Sequence, residues 1–298
     1  LSVIVVIGLS TVAFFVAQNT LETRALDSLA VTGNFKTEQL KMFVADQRDN
    51  LERISKIPVI RKAAIEVLTE NPDVTDGSTS AYQNLGQQVD LVQATVPDLS
   101  EIFFLKATGG RIFFSTDNEH EGDYRVKDNY FTEGKKAVFI QNVYRSPVTQ
   151  RPTMTVSAPL KGDSDEVIGV VAAHVKLDKL DTIVRDDTGL GKTGESYLIN
   201  KNYVFLSAGG FGTKQYPRGV HSEGIDAALA NKMTGTAIYP NYAGVTVIGS
   251  YRWIEDRELA LLTEIPKVEA LAPARDLGLI LIAIGLVAVG FLALGVYL

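Results

Sequence analysis

Hydrophobic residues form two uncharged blocks at the ends of the chain and periodic patterns between them. No charged residue precedes Glu22, and the opening Leu1–Ala17 reads LSVIVVIGLSTVAFFVA. At the other end, Leu277–Leu298 runs LGLILIAIGLVAVGFLALGVYL without a charge. Its 22 residues, rising about 1.5 Å each, reach roughly 33 Å, enough to cross a bilayer, and predict a transmembrane helix over 277–298. The opening run is at the lower edge of spanning length, begins on Leu rather than Met, and lacks the basic n-region and cleavage site of a signal peptide. It is expected to be a first, truncated transmembrane helix over 1–17. Residues 18–276 are then expected on one side of the cell membrane, periplasmic or extracellular.

From Leu21 to Ile57 apolar residues recur at Leu21, Ala25, Leu29, Val31, Phe35, Leu40, Phe43, Val44, Leu51, Ile54 and Ile57, with no proline before Pro58. The three-to-four spacing predicts an amphipathic helix continuing out of the membrane. Its length invites two roles: one apolar stripe against its own domain and another forming a homodimer seam. A second helix is expected at Val59–Thr69, completing a stalk over 18–70. Asn71–Ser80 reads as a loop and Ala81–Val96 as a helix stopped by Pro97.

Beyond Pro97 the period shortens to that of strands, and a motif repeats. Glu101–Leu105, a turn at Thr108–Gly110 and Arg111–Ser115 predict a hairpin. The same shape recurs as Glu195–Ile199, a Lys201-Asn202 turn and Tyr203–Ser207. Each copy is followed by an irregular polar stretch and a longer hairpin: Thr153–Leu160 with Val167–Leu177, then Val245–Ile254 with Leu259–Ile265. A further strand is expected at Val138–Val143 and a helix at Leu177–Arg185. Hairpins with few helices between them predict two tandem antiparallel sheets, an α+β fold behind a long helix.

Composition narrows the function. The 298 residues are 46% hydrophobic, with 29 basic against 35 acidic side chains and a net charge of −6, which disfavours nucleic acid. There are no cysteines and three histidines, none in an HExxH arrangement, which removes thiolate chemistry, disulfides and the common zinc sites. Gly189-Leu-Gly-Lys-Thr-Gly194 satisfies GxGxxG on paper, but it follows a helix and leads into a strand, the reverse of a dinucleotide site. Those glycines read instead as a turn. No nucleophile–base pair is apparent, so no catalytic residue, metal or cofactor is expected.

Several segments together resemble the double Cache extracytoplasmic sensor domains of bacterial and archaeal receptors. They are Asp128-Asn-Tyr-Phe131, Ser146-Pro-Val-Thr149, Val156-Ser-Ala-Pro-Leu160, Ile168-Gly-Val-Val171, Gly189–Leu198, Gly249-Ser-Tyr-Arg-Trp253 and Thr263-Glu-Ile265. The resemblance covers the whole chain. It implies two PAS-like modules, a membrane-distal one over 71–185 and a membrane-proximal one over 186–270, between two spans. It also implies a dimeric receptor that passes a small-molecule signal through its helices. The output domain would be a histidine kinase, a nucleotide or diguanylate cyclase, or a chemoreceptor tail; Gly189–Leu198 looks most like sensor kinases.

In the amino-acid-binding members of that family an Arg-x-Trp/Tyr-Tyr/Phe motif grips the ligand carboxylate, and an Asp on the module's last strand grips the ammonium. The matching positions here are Asp128, Tyr130, Phe131 and His174. A carboxylate at 128 repels another carboxylate and attracts an amine, while His174 is able to meet an anion or a neutral acceptor. Arg125 supplies a cation if its loop folds inward, and Tyr144 completes the candidate ligand-binding set. Plainer roles stand beside these: Asp128 capping a helix that starts at Tyr130, the two aromatics packing a core, and His174 as a satisfied strand residue. A protein-sensing or structural ectodomain without a small ligand is the competing function.

Overall fold

A computed structural model describes residues 2–70, 79–145, 152–207 and 219–297. Residues 71–78 of the predicted loop Asn71–Ser80 and the Ser146-Pro-Val-Thr149 segment lie outside the described residues, as do the first seven side chains. One helix, α1, runs over Ser2–Lys56, 55 residues. It stops at Pro58, whose ring cannot continue a helix interior but suits a first turn, and α2 (Pro58–Glu70) starts there. Helix α3 (Ser80–Gln93) opens under a Thr79 cap whose side chain accepts from the Tyr82 amide.

The chain forms two compact units, Gln39–Thr182 and Leu1–Glu38 with Ile183–Leu298. The first holds β1 (Leu99–Lys106), β2 (Ile112–Ser115), α4 (Asn129–Gly134), β3 (Phe139–Arg145), β4 (Pro152–Lys161) and β5 (Val167–Val175). Helix α5 covers Asp178–Arg185. The second unit holds β6 (Glu195–Asn200), β7 (Phe205–Ser207), α6 (Glu223–Leu229), β8 (Gly235–Pro240), β9 (Thr246–Ile254) and β10 (Leu259–Pro266). Two helices follow, α7 (Lys267–Ala270) and α8 (Ala272–Tyr297).

Each sheet has five antiparallel strands, ordered β2-β1-β5-β4-β3 and β7-β6-β10-β9-β8. Numbered within each module, the two orders are the same, so the repeated hairpins fold into repeated sheets. The turn after β6 runs through Tyr203, which takes a φ of 57°, and β7 therefore starts two residues later than the pattern predicts. Among the described residues one helix, over Ala272–Phe291, is long and apolar enough to cross a membrane, with a mean hydropathy of 2.0. Leu279, Ile280, Ile282 and Leu286 are exposed along it.

The glycine-rich turn before β6 is an anion cradle filled by the chain itself. Gly189 and Gly191 have φ of 82° and 73°, open to glycine and strained for other residues. The resulting loop points the Lys192 and Thr193 amides and the Thr193 hydroxyl at the Glu269 carboxylate on α7. Lys36 of α1 is 2% exposed and donates to the carbonyls of Ile183, Val184 and Asp186. These are orphan acceptors at the end of α5, which one ammonium satisfies.

Candidate functional site

In the first module the sheet face beneath α4 carries a polar row across its strands. Register places Thr155 of β4 opposite His174 of β5 and His174 opposite Glu101 of β1. Side chains at these positions share a face because residues alternate across a strand. Tyr144 Oη lies 2.8 Å from Thr155 Oγ1, which lies 2.8 Å from His174 Nδ1. His174 Nε2 is 3.7 Å from Glu101 Oε2. The other Glu101 oxygen accepts from Ser115 Oγ at 2.7 Å and faces His120 Nδ1 at 2.9 Å.

Burial holds His174 neutral, lowering its pKa to about 4, with the charges of His120 and Arg125 adding to the effect. A neutral ring satisfies the row by accepting from Thr155 at Nδ1 and turning Nε2–H toward Glu101. Tyr144 is pushed up to about 12, chiefly by burial. Tyr130 is raised further, by burial and then by Asp128. All three groups therefore serve as neutral hydrogen-bonding partners at neutral pH.

Asp128 takes the N-cap position of α4, with φ −76° and ψ 136°, but its side chain makes no capping bond. The Tyr130 amide instead donates to Gln141 Oε1 of β3 at 3.1 Å. Freed from capping, the Asp128 carboxylate accepts the Tyr130 hydroxyl at 2.9 Å. Helix capping by the Asp128 side chain is thus corrected: the neighbouring strand performs that task. Tyr130 stacks edge-on against Phe103, ring centres 5.8 Å apart, and lies 6.4 Å from the His174 ring.

Arg125 is held inward by its amide, which donates to the Gly110 carbonyl at 2.8 Å, and its guanidinium pairs with Asp123 at 2.6 Å. Its charge is felt at Tyr130, Tyr144 and His174. Arg125, Asp128, Tyr130, Tyr144 and His174 are therefore neighbours. Phe131 is 1% exposed and packs in the core with Leu105, Ile112 and Val170. Glu101, Thr155 and Gln141 were not singled out from the sequence. Glu101 had a signal, a lone carboxylate in the apolar run Leu99–Leu105. Among the described residues Glu101, Asp117 and His120 offer ligand atoms within 4.8 Å of one another, but Glu101 is already engaged by Ser115 and His120.

The family model for the dCache group, described as a Cache domain, matches residues 17–274. The chain belongs to the double Cache family. A search of the curated proteins gives no match. Among solved structures this double Cache chain is similar to the sensory domain of the Campylobacter jejuni chemoreceptor Tlp3, with TM-score 0.60 and 12% identity, covering 85% of this chain and 98% of that one. It is also similar to the ligand-binding domain of the Pseudomonas aeruginosa PAO1 amino-acid chemoreceptor PctC, solved with GABA, with TM-score 0.53, 12% identity and coverage of 78% and 96%. The ligand-binding domain of Mlp24, solved with asparagine, matches with TM-score 0.54 and 14% identity, covering 87% and 99%. At these identities the likeness is one of fold.

Proposed function

We propose that this double Cache domain is the extracytoplasmic sensor of a membrane receptor, and that its first, membrane-distal module (71–185) binds a small ligand bearing an ammonium group. The observation that carries this reading is the Asp128 carboxylate, released from capping and turned to the Tyr130 hydroxyl. Asp128 and Glu101 supply negative charge, Tyr130, Tyr144 and neutral His174 supply polar walls, and Arg125 is the one basic group of the set. The ligands named for the similar structures, GABA, isoleucine and asparagine, all carry an ammonium. Residues 186–270 form the membrane-proximal module, and the helices at the two ends cross the membrane. A cytoplasmic output, foremost a histidine kinase, receives the signal. Val31, Phe35 and Met42 stand 70%, 59% and 63% exposed along α1 and support a homodimer along that helix. The ligand shifts the receptor only by its differential affinity for two arrangements.

The test uses three probes on one four-carbon skeleton, butylammonium, GABA and butyrate, in a thermal-shift assay of the chain in lipid nanodiscs. A ligand at a hundredfold excess over Kd stabilises by about 2.7 kcal/mol. Butylammonium and GABA are expected to raise Tm in the wild type and to lose most of that effect in Asp128→Asn. Stabilisation by butyrate alone would show that the carboxylate at 128 does not set the ligand's charge.

A further inference from the structure

The second module presents a site of its own, separate from the one proposed above. Glu264, on the central strand β10, is 1% exposed. Its Oε1 accepts from Tyr197 Oη of β6 at 2.8 Å and from Tyr239 Oη of β8 at 2.9 Å. Its Oε2 is buried with no hydrogen-bond partner meeting normal geometry among the described residues, although the Asn241 side chain approaches and favours the charged form. Opposite it in register lies Glu195, whose Oε2 accepts from Tyr242 Oη at 3.2 Å. Among the described residues neither carboxylate has an ion pair, and the charge of Glu195 raises the cost of ionising Glu264. Among the described residues the titratable side chains around Glu264 are carboxyls and phenols: Glu195 and Tyr197 from β6, Tyr239 from β8, Tyr242 after it, and, beyond Tyr239, Tyr251 from β9 and Glu223 from α6.

Rings wall the same place. Tyr197, Phe205 and Tyr242 form a closed trio with centres 5.1 to 5.3 Å apart. Phe205, Tyr242 and Trp253 are only partly buried against the core formed by Tyr197, Ile199 and Leu262. A buried carboxylate without a cation is costly, and aromatic rings attract cations through their quadrupoles, as they do Lys232, 6.0 Å over the Trp253 ring. Both requirements are met by one kind of guest.

We propose that Glu264, Glu195, Tyr197, Tyr242 and Phe205 form a second ligand site in the second module, which takes a small organic ammonium ion. The ammonium supplies the missing counter-charge and donates to Glu264 Oε2, while its alkyl part lies on the rings. The membrane-proximal module is then a cation-binding unit in its own right.

Trp253 is the only tryptophan in the chain, so its fluorescence reports on this module alone. The experiment titrates propylammonium into the full chain in nanodiscs, with propan-1-ol as the uncharged control. A saturable fluorescence change is expected with propylammonium and not with propan-1-ol. Glu264→Gln and Glu195→Gln are each expected to weaken it at least tenfold, and Asp128→Asn to leave it unchanged. Equal responses to both probes, or wild-type affinity in both glutamine variants, would overturn the proposal. Loss of the signal in Asp128→Asn would assign it to the first module and overturn it equally. Because the first site is read by Asp128 and the second by Trp253, failure of either proposal leaves the other standing.

Discussion

Glu264 makes the second module's stability depend on pH in a direction opposite to most carboxylates. Burial raises its pKa from 4.5 to about 7, against the favourable bonds from Tyr197 and Tyr239. A raised carboxyl pKa means that the folded state holds a proton the unfolded chain has released. Stability is therefore lost as pH rises from about 4.5 to about 7 and is flat above. A shift of about 2.5 units at 1.36 kcal/mol each amounts to about 3 kcal/mol. Glu264→Gln keeps an acceptor for the two phenols and removes the ionisation. The variant is expected to come within about 1 kcal/mol of the wild type near pH 5 and to exceed it by about 3 kcal/mol at pH 8, which is roughly 6–12 °C in Tm for a domain of this size. The assay is thermal unfolding of both proteins, without added amines, followed by Trp253 fluorescence across pH 4.5–8.5. The difference between the two curves isolates residue 264 from the other groups titrating in that window. A difference that stays constant with pH would refute the reasoning, because it would mean that residue 264 ionises alike in the folded and unfolded states.

His174 should act in the reverse sense. Its pKa falls from 6.5 to about 4 on folding, so stability is lost as pH drops from about 6.5 through 4, and His174→Gln should remove a penalty of about 3 kcal/mol at pH 4 in first-module hydrogen exchange. Lys36→Met keeps the apolar stem of the side chain but removes the ammonium from the carbonyls of Ile183, Val184 and Asp186, of which Val184 keeps the Ser196 hydroxyl. A destabilisation of about 2–4 kcal/mol is expected by urea unfolding, and a neutral result would show that water replaces the ammonium.

The regular elements were legible because their periods are strong. The α1 apolar spacing, the stop at Pro58 and the paired hairpins all appear in the sequence, and β9 begins at Thr246, one residue inside the predicted Val245. Helix α6 and strand β8 were passed over as irregular stretch. Yet Ser222 caps α6 by accepting from the Ile225 amide, and Gly235–Pro240 is a short strand whose residues are mostly half-buried. In the first module the candidate residues were found through family resemblance, and what eluded the sequence was the partner of each. Gln141 lies eleven residues beyond Tyr130 and reaches its amide only through the placement of β3 beside α4. The Glu264 cluster was hidden for a related reason. Thr263-Glu-Ile265 was visible as a family-like segment, but Tyr197 and Tyr239 lie 67 and 25 residues away, and only the sheet register brings the three together.

The route out of the second module is short. Glu264 stands two residues before Pro266, where β10 ends and α7 begins, and α8 starts at Ala272. The 26 residues of α8 make a rod of about 39 Å, so a tilt of about 5° at its base sweeps the far end through about 3 Å. Lys267 is pinned to Glu22 of α1 at 3.0 Å, and Glu269 is gripped by the Lys192–Thr193 amides. Under the sensor reading proposed above, the strand that carries the buried carboxylate would run into the short arm of a lever fastened on two sides, whose long arm would magnify small displacements of the sheet.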